Sequence, residues 1–262
     1  MVNDSELVLV NQRGWRRGLN NLLDNEFARW WRTRRWWVQA LIWTAVVGFM
    51  LGTMVKQGAD TETLMIIYSI FASMFPAVAV IITMMGVLIG EKADGTAAWV
   101  LSKPVSRPAF ILAKLVANGL SVLATMVIIP GLVAYPLISM ALGGALNPLR
   151  FLAGLGVIWL SLLWYLTLTL MLGALLKSRG AVIGIALALL FAQQYLFGLA
   201  PFLKAALPWT LTVPLNNTND ALLPLLLQGQ PVAAHLPQVL IILVECVVFV
   251  LVAVWRFNKE EL

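Results

Sequence analysis

The sequence contains few of the residues from which enzymes and metal sites are usually built. Its 262 residues include one cysteine, Cys246, and one histidine, His235. A single cysteine cannot close an internal disulfide, and neither residue can hold a metal ion without further ligands. We therefore interpret Cys246, which lies in an apolar run, as a packing residue. We interpret His235 as a polar residue at a membrane surface and predict no metal site.

Sequence motifs for nucleotide binding and hydrolysis are also missing. The chain has no GxxxxGK(S/T) phosphate loop and no HExxH, CxxC or GxSxG motif. The nearest string, Gly90-Glu91-Lys92, lacks the spacing that lets backbone amides surround a phosphate. Acid–base catalysis would need converging carboxylates or histidines, and the apolar segments contain almost none. The sequence thus predicts a protein that is not itself an enzyme and binds no cofactor of its own.

Charged residues are scarce in the sequence, and hydrophobic residues are abundant. Charged residues make up 11% of the chain and hydrophobic residues 61%, with a mean hydropathy of +0.88. A soluble fold of this size could not cover so much apolar surface, whereas a bilayer removes that requirement. We predict an all-α membrane protein with prolines 76, 130 and 136 as probable kink positions. Its six transmembrane helices are predicted at 36–55, 64–90, 110–132 with a tail toward 142, 151–176, 181–199 and 237–257.

The basic residues predict the topology. With the N-terminus inside, fifteen of the 18 lysines and arginines fall in inside segments, and Lys56, Arg150 and Lys204 fall outside. Because basic loops stay in the cytoplasm, we expect both termini on the cytoplasmic side of the plasma (inner) membrane. This distribution explains the net charge of +6 without a nucleic-acid partner. We predict one transmembrane domain over 1–262: a cytoplasmic segment at 1–35, a six-helix bundle at 36–257 and a cytoplasmic tail at 258–262.

Two segments outside the predicted membrane helices have their own pattern. Apolar residues recur at helical spacing over Leu19–Trp31, which predicts an amphipathic helix lying in the cytoplasmic membrane interface. The outside segment 200–236 contains five prolines and predicts one or two short helices at the outer interface. In the amphipathic helix Leu19–Trp31, the residues expected to contact the membrane are Leu22, Phe27, Trp30 and Trp31.

The loop after the second predicted membrane helix is the most informative part of the sequence. Asp94-Gly95 favours a turn, the residues from Thr96 to Ser102 suit a short helix, and Lys103-Pro104 ends it. Two long membrane helices would hold this short helix on the cytoplasmic face, where it could transmit force from a partner. The candidate partner-coupling residues are Glu91, Asp94, Gly95, Thr96, Trp99, Ser102, Lys103, Pro104, Ser106 and Arg107.

This loop resembles that of ABC-2-type transporter permeases, in which Glu…Asp-Gly-Thr…Leu-Ser-Lys-Pro-Val-Ser-Arg…Lys follows the second membrane helix. The matching residues here are Glu91, 94–96, 101–107 and Lys114. The resemblance implies the membrane subunit of an ABC transporter, an exporter working by alternating access. It also implies a second permease copy or a homologue, and two copies of an ATPase subunit that binds ATP and Mg²⁺ and docks on the loop and the interfacial helix.

Polar residues inside the predicted membrane helices leave other functions open. Glu245 lies in the middle of the sixth helix, where a charged residue costs about 2.5–3.5 kcal/mol on insertion scales for Asp, Lys and Arg. We expect it to face protein or a transport pathway, either joining two helices or serving function. Gln193, Gln194 and Tyr68 are candidates for interhelical hydrogen bonds or for lining a pathway.

The alternatives to an ABC permease are an ion-gradient-driven transporter that uses Glu245 and a membrane scaffold that transports nothing.

Overall fold

Long apolar helices dominate the computed structural model, which describes residues 14–200, 202–215 and 220–259. These residues form helices and no strand, and six of the helices are long and apolar enough to cross a membrane. The all-α membrane fold with six spans is therefore confirmed. The helices in chain order are α1 (Leu19–Trp31), α2 (Arg35–Lys56), α3 (Thr61–Ala93), α4 (Thr96–Leu101), α5 (Arg107–Ala141), α6 (Pro148–Leu175), α7 (Arg179–Leu199), α8 (Leu203–Ala206), α9 (Trp209–Thr212), α10 (Leu222–Gln228) and α11 (Leu236–Asn258).

Short polar side chains begin four of the membrane helices. The Asp60 carboxylate accepts a hydrogen bond from the Thr63 amide (3.0 Å) at the start of α3, and the Asn147 side chain accepts from two amides at the start of α6. The hydroxyls of Ser106 and Ser178 each accept a hydrogen bond from a backbone amide at the start of α5 and α7, respectively. These caps satisfy amides that have no partner within the helix. Residues 1–13 of the predicted N-terminal segment and 260–262 of the tail lie outside the described residues.

Helices α3 and α5 are longer than the apolar runs that predicted them. Helix α5 continues through Pro130 and Pro136 to Ala141, which covers the predicted helix at 110–132 and its predicted tail toward 142. A π-helical segment, Leu123–Ile128, lies just before Pro130, where the proline removes a helical hydrogen bond. A second one, Gly86–Gly90, lies near the end of α3. Both helices thus widen locally at these segments and continue without a break.

Helix α6 forms the centre of the bundle. In its most apolar stretch 78% of the residues are buried, against 17% in α2 and 22% in α11. Helices α3 and α11 both pack along α6. The exposed side chains of α2 and α11 are largely apolar, as suits helices that face lipid. The hydrophobic core is therefore organised around one helix and enclosed by lipid-facing neighbours.

The segment between α7 and α11 packs into one end of the bundle. Among its described residues there are three short α-helices, α8 to α10, where the sequence predicted one or two. Leu211 and Leu223 are fully buried. Leu223 Cδ1 lies 2.9 Å from the position that a Cβ at Gly154 of α6 would occupy. Because α6 has no side chain at this point, α10 can approach it closely.

Candidate functional site

Many of the basic side chains lie at one end of the bundle, here called the basic end. It comprises α1, the loop from α3 through α4 to α5, the start of α7 and the end of α11. The Lys92 ammonium lies 3.3 Å from the Gly173 carbonyl at the end of α6. The Arg107 guanidinium donates to the carbonyls of Phe257 (3.0 Å) and Asn258 (2.8 Å) at the end of α11. These bonds join the helix ends into one surface.

Four charged residues form an ion cluster at the basic end, in which three side chains are buried and the fourth, that of Arg29, is 48% exposed. The Lys114 side chain is 1% exposed, and its Nζ lies 2.8 Å from Glu26 Oε1 and 2.7 Å from Glu91 Oε2. Arg29 Nη1 donates to Glu91 Oε1 at 2.6 Å. Glu26 and Arg29 belong to α1, Glu91 to the end of α3, and Lys114 to α5. The ion cluster therefore connects three separate elements.

The cluster balances its charges at a partly dehydrated position. Burial lowers the pKa of Arg29, but the hydrogen bond to Glu91 and the charges of Glu26 and Glu91 outweigh this effect and raise that pKa above its usual range. A hydrogen bond between two neutral side chains also joins α1 to α5. Trp30 Nε1 donates to Asn118 Oδ1 at 2.9 Å, and Asn118 lies one turn beyond Lys114. Removing one member of such a group costs about 3–5 kcal/mol because its partner stays buried without a counter-charge.

Helix α1 has the predicted bounds, but its buried face is not purely apolar. It packs on α5, burying Glu26 and Trp30, half-burying Leu22 and Phe27, and leaving Trp31 exposed. Its location in a membrane interface stays a prediction. Sequence analysis missed Glu26, although its place one turn from Leu22 and Trp30 was a visible signal. Lys114, counted among the inside basic residues for the topology, lies two turns inside α5, within the predicted helix at 110–132.

The loop helix α4 presents an aromatic and a basic side chain outward. Gly95 has a left-handed backbone (φ 70°), which turns the chain before α4 begins at Thr96. Ala97 faces the core, while Trp99 is 62% exposed and Lys103 Nζ lies 3.7 Å from its ring centroid. This distance suits a cation–π contact. Asp94, Ser102 and Pro104 are exposed beside it, so this part of the predicted set forms one surface.

Ser106 and Arg107, also predicted to contact a partner, make bonds within the chain. The Ser106 hydroxyl donates to the Trp15 carbonyl and accepts from the Ala109 amide (3.2 Å), and its own amide donates to the Arg17 carbonyl (3.0 Å). Arg107 holds the end of α11. These two residues therefore fasten the N-terminal segment and α11 to the loop.

The predicted polar residues of the membrane helices occupy different environments. Trp164 Nε1 on α6 donates to Glu245 Oε2 at 2.7 Å, so Glu245 lies on the side of α11 that faces α6. Gln193 is buried and bridges the Tyr165 hydroxyl (2.5 Å) and the Trp209 amide (3.1 Å). Its neighbour Gln194 is exposed. Tyr68 is buried and stacks on Phe151, with ring centroids 6.0 Å apart.

Six candidate spans and a structured basic end define a multi-pass α-helical membrane protein. The family model described as "ABC-2 family transporter protein" matches residues 21–262. The chain therefore belongs to the ABC-2 transporter family, whose permeases form the membrane part of ABC transporters. This match confirms the family to which the loop and the six-helix layout pointed. No curated protein sequence matches the chain.

Proposed function

We propose that the chain is the permease subunit of an ABC exporter and that α4 at its basic end receives a separate ATPase subunit. The observation that carries this proposal is the ion cluster, which fixes the base of the α4 loop and helix α1 to α5. Beyond that base, Trp99 and Lys103 remain available to a partner. ATP and Mg²⁺ would bind to the ATPase subunit, because this chain has no phosphate loop.

The cluster supplies a route by which movement of the ATPase would reach the membrane helices. Closure of two ATPase subunits on ATP would displace α4, and Glu91 would pass this displacement to Lys114 of α5. Glu26 would pass it on to α1. Helix α5 then runs from Arg107 to Ala141 and packs against α2, so motion at its start would move the bundle. Alternating access of a central pathway is the expected result.

A second permease copy, or a homologue, would complete the transporter. On α7, Gln194 is exposed, and Tyr195 is 71% exposed on the helix face that also carries the small exposed residues Gly184 and Ala188. A polar amide that faces lipid has no hydrogen-bond partner, whereas small residues permit close helix contact. We propose that the partner permease covers this face and that each permease binds one ATPase. The basic end would face the cytoplasm at the inner membrane.

The proposal is tested by recovery of the tagged full-length chain from host membranes in mild detergent. Wild type, a Trp99→Ala/Lys103→Ala variant and a Trp255→Ala control would be compared for co-purified ATPase activity. Mass spectrometry would identify a subunit with a phosphate loop. Trp255 is a matched control because it is 55% exposed and also lies under a lysine, with Lys259 Nζ 4.2 Å from its ring centroid. The α4 variant should lose about tenfold of the activity.

Equal ATPase recovery with wild type, the α4 variant and the control would contradict docking at α4. Absence of any ATPase from a correctly folded wild-type preparation would contradict the ABC assignment itself. The gradient-driven alternative would then predict that Glu245→Gln abolishes transport, because the amide cannot carry a proton.

A further inference from the structure

A cavity of about 530 Å³ lies at the basic end between α1, α2, α3 and α5. Its volume is in the range of small-molecule sites. Trp30, Val38 and Val87 provide apolar walls, and Arg35, Gln39 and Thr83 provide polar ones. Neither the family nor the proposed docking of an ATPase accounts for this cavity.

One wall of the cavity carries a positive charge that the ion cluster does not use. Arg29 and Glu26 border the cavity, but Glu91 pairs with Arg29 and Lys114 pairs with Glu26. Arg35 also borders it, and within the described parts of the chain Arg35 makes no ion pair or hydrogen bond. A guanidinium in this position suits a phosphate, to which it can donate two parallel hydrogen bonds.

The same wall contains a buried acceptor without a donor. Gln39 Oε1 is buried and has no hydrogen-bond partner among the described residues. Gln39 follows Arg35 by one turn of α2, so both side chains reach the cavity from the same helix face. A buried carbonyl oxygen without a donor is unfavourable. A ligand that carries a hydroxyl or ammonium group beside its phosphate would satisfy both residues.

The position of the cavity along α2 suits the headgroup level of a bilayer. Arg35 is the first residue of a candidate span, and Trp37 and Val38 are exposed beside the cavity. Tryptophans collect at the headgroup level of membrane proteins. We propose that the cavity binds the headgroup of a phospholipid from the adjoining leaflet. Arg35 holds the phosphate, Gln39 accepts from a headgroup hydroxyl or ammonium, and the acyl chains leave past Val38.

The test is native mass spectrometry of the purified full-length chain titrated with phosphatidylglycerol. Arg35→Ala should weaken lipid binding about tenfold, because a charge-assisted contact is lost. Arg34→Ala is the matched control: Arg34 is the preceding residue, is exposed and does not border the cavity. It should change binding by less than about twofold. Glycerol 3-phosphate, which has the phosphate but no acyl chains, should compete weakly.

A second variant keeps every polar group and fills the space. Gly86 borders the cavity, and a Cβ placed there meets nothing within 4 Å. Gly86→Leu should therefore place a side chain in the cavity and weaken lipid binding, and size-exclusion chromatography would verify its fold. Equal binding by the Arg34→Ala and Arg35→Ala variants, or full binding by Gly86→Leu, would overturn the proposal. Glycerol 3-phosphate binding as tightly as the lipid would also overturn it and indicate a site for soluble phosphates.

Discussion

The two ends of the bundle bury polar groups by different chemistry. At the basic end, Lys114 lies between the carboxylates of Glu26 and Glu91. At the opposite end, the side-chain amides of Gln193 and Gln238 bind hydroxyl and backbone groups. A buried ion that loses its partner must either remain charged without a counter-charge or change its protonation state, and both cost more than leaving the neutral partners of an amide unpaired. The basic end should therefore be the more sensitive of the two to single substitutions.

The neutral contacts of the opposite end join the short helices to the bundle. Gln238 Nε2 lies 2.9 Å from the Lys204 carbonyl, 3.1 Å from the Leu207 carbonyl and 2.6 Å from Thr210 Oγ1. Gln193 Oε1 accepts from the Trp209 amide at 3.1 Å. Helices α8 and α9 are thereby attached to α7 and α11. Both ends thus use residues far apart in sequence, and at the basic end these residues also balance charge.

Lys114→Met should produce the largest loss of stability. It leaves Glu26 and Glu91 close together without the lysine, at a cost of about 3–5 kcal/mol in the free energy of unfolding. The midpoint of thermal unfolding in detergent would measure the loss. The control is Lys177→Met, since Lys177 is exposed and makes no ion pair among the described residues.

A further substitution distinguishes loss of charge balance from loss of packing. Adding Glu26→Gln to Lys114→Met removes one carboxylate and should restore part of the unfolding midpoint. No restoration would mean that lost packing, not charge, explains the instability. A Lys114→Met midpoint equal to that of Lys177→Met would remove the proposed difference between the two ends.

Gln193→Leu should have an intermediate effect. It leaves the Tyr165 hydroxyl and the Trp209 amide without their partner, which costs about 1–3 kcal/mol. Gln194→Leu is the matched control, because it makes the same change at the adjacent exposed position. Thermal unfolding of the two variants in detergent would measure the difference. A larger loss in the control would contradict the role of Gln193 in fastening α9.

Asp60→Ala should have the smallest effect, and that effect should depend on pH. The Thr63 hydroxyl (2.7 Å) and amide (3.0 Å) donate to the Asp60 carboxylate and lower its pKa below the ordinary 3.8. A carboxylate with a depressed pKa stabilises the fold above 3.8, and this contribution is lost as pH falls through the folded-state pKa. The difference in unfolding midpoint between wild type and Asp60→Ala should therefore shrink from about pH 7 to about pH 3.

Thr63→Val tests the cause of that pH dependence. It removes the hydroxyl donor and keeps the amide, so its effect should lie between those of wild type and Asp60→Ala. A difference between wild type and Asp60→Ala that stays constant with pH would show that the cap acts without its charge.

The layout of the bundle was predictable because its causes are local. Long apolar runs predicted six membrane helices, the spacing of apolar residues predicted Leu19–Trp31, and Gly95 with Pro104 framed the short helix α4. The π-helical segments inside α3 and α5 were not predicted, because hydropathy and residue spacing do not distinguish them from α-helix. Gln193 and Gln194 looked alike in the sequence, and only packing separated the buried one from the exposed one.

Hydropathy and helix length are properties of each segment alone, so the sequence already specifies a multi-pass helical membrane protein. It also contained the loop that pointed to the ABC-2 family. Only the tertiary structure decided that Glu26, Arg29, Glu91 and Lys114 meet in one ion cluster, and that Arg35 and Gln39 border one cavity. Such meetings depend on how distant helices pack, and the pattern within any one helix does not specify its neighbours.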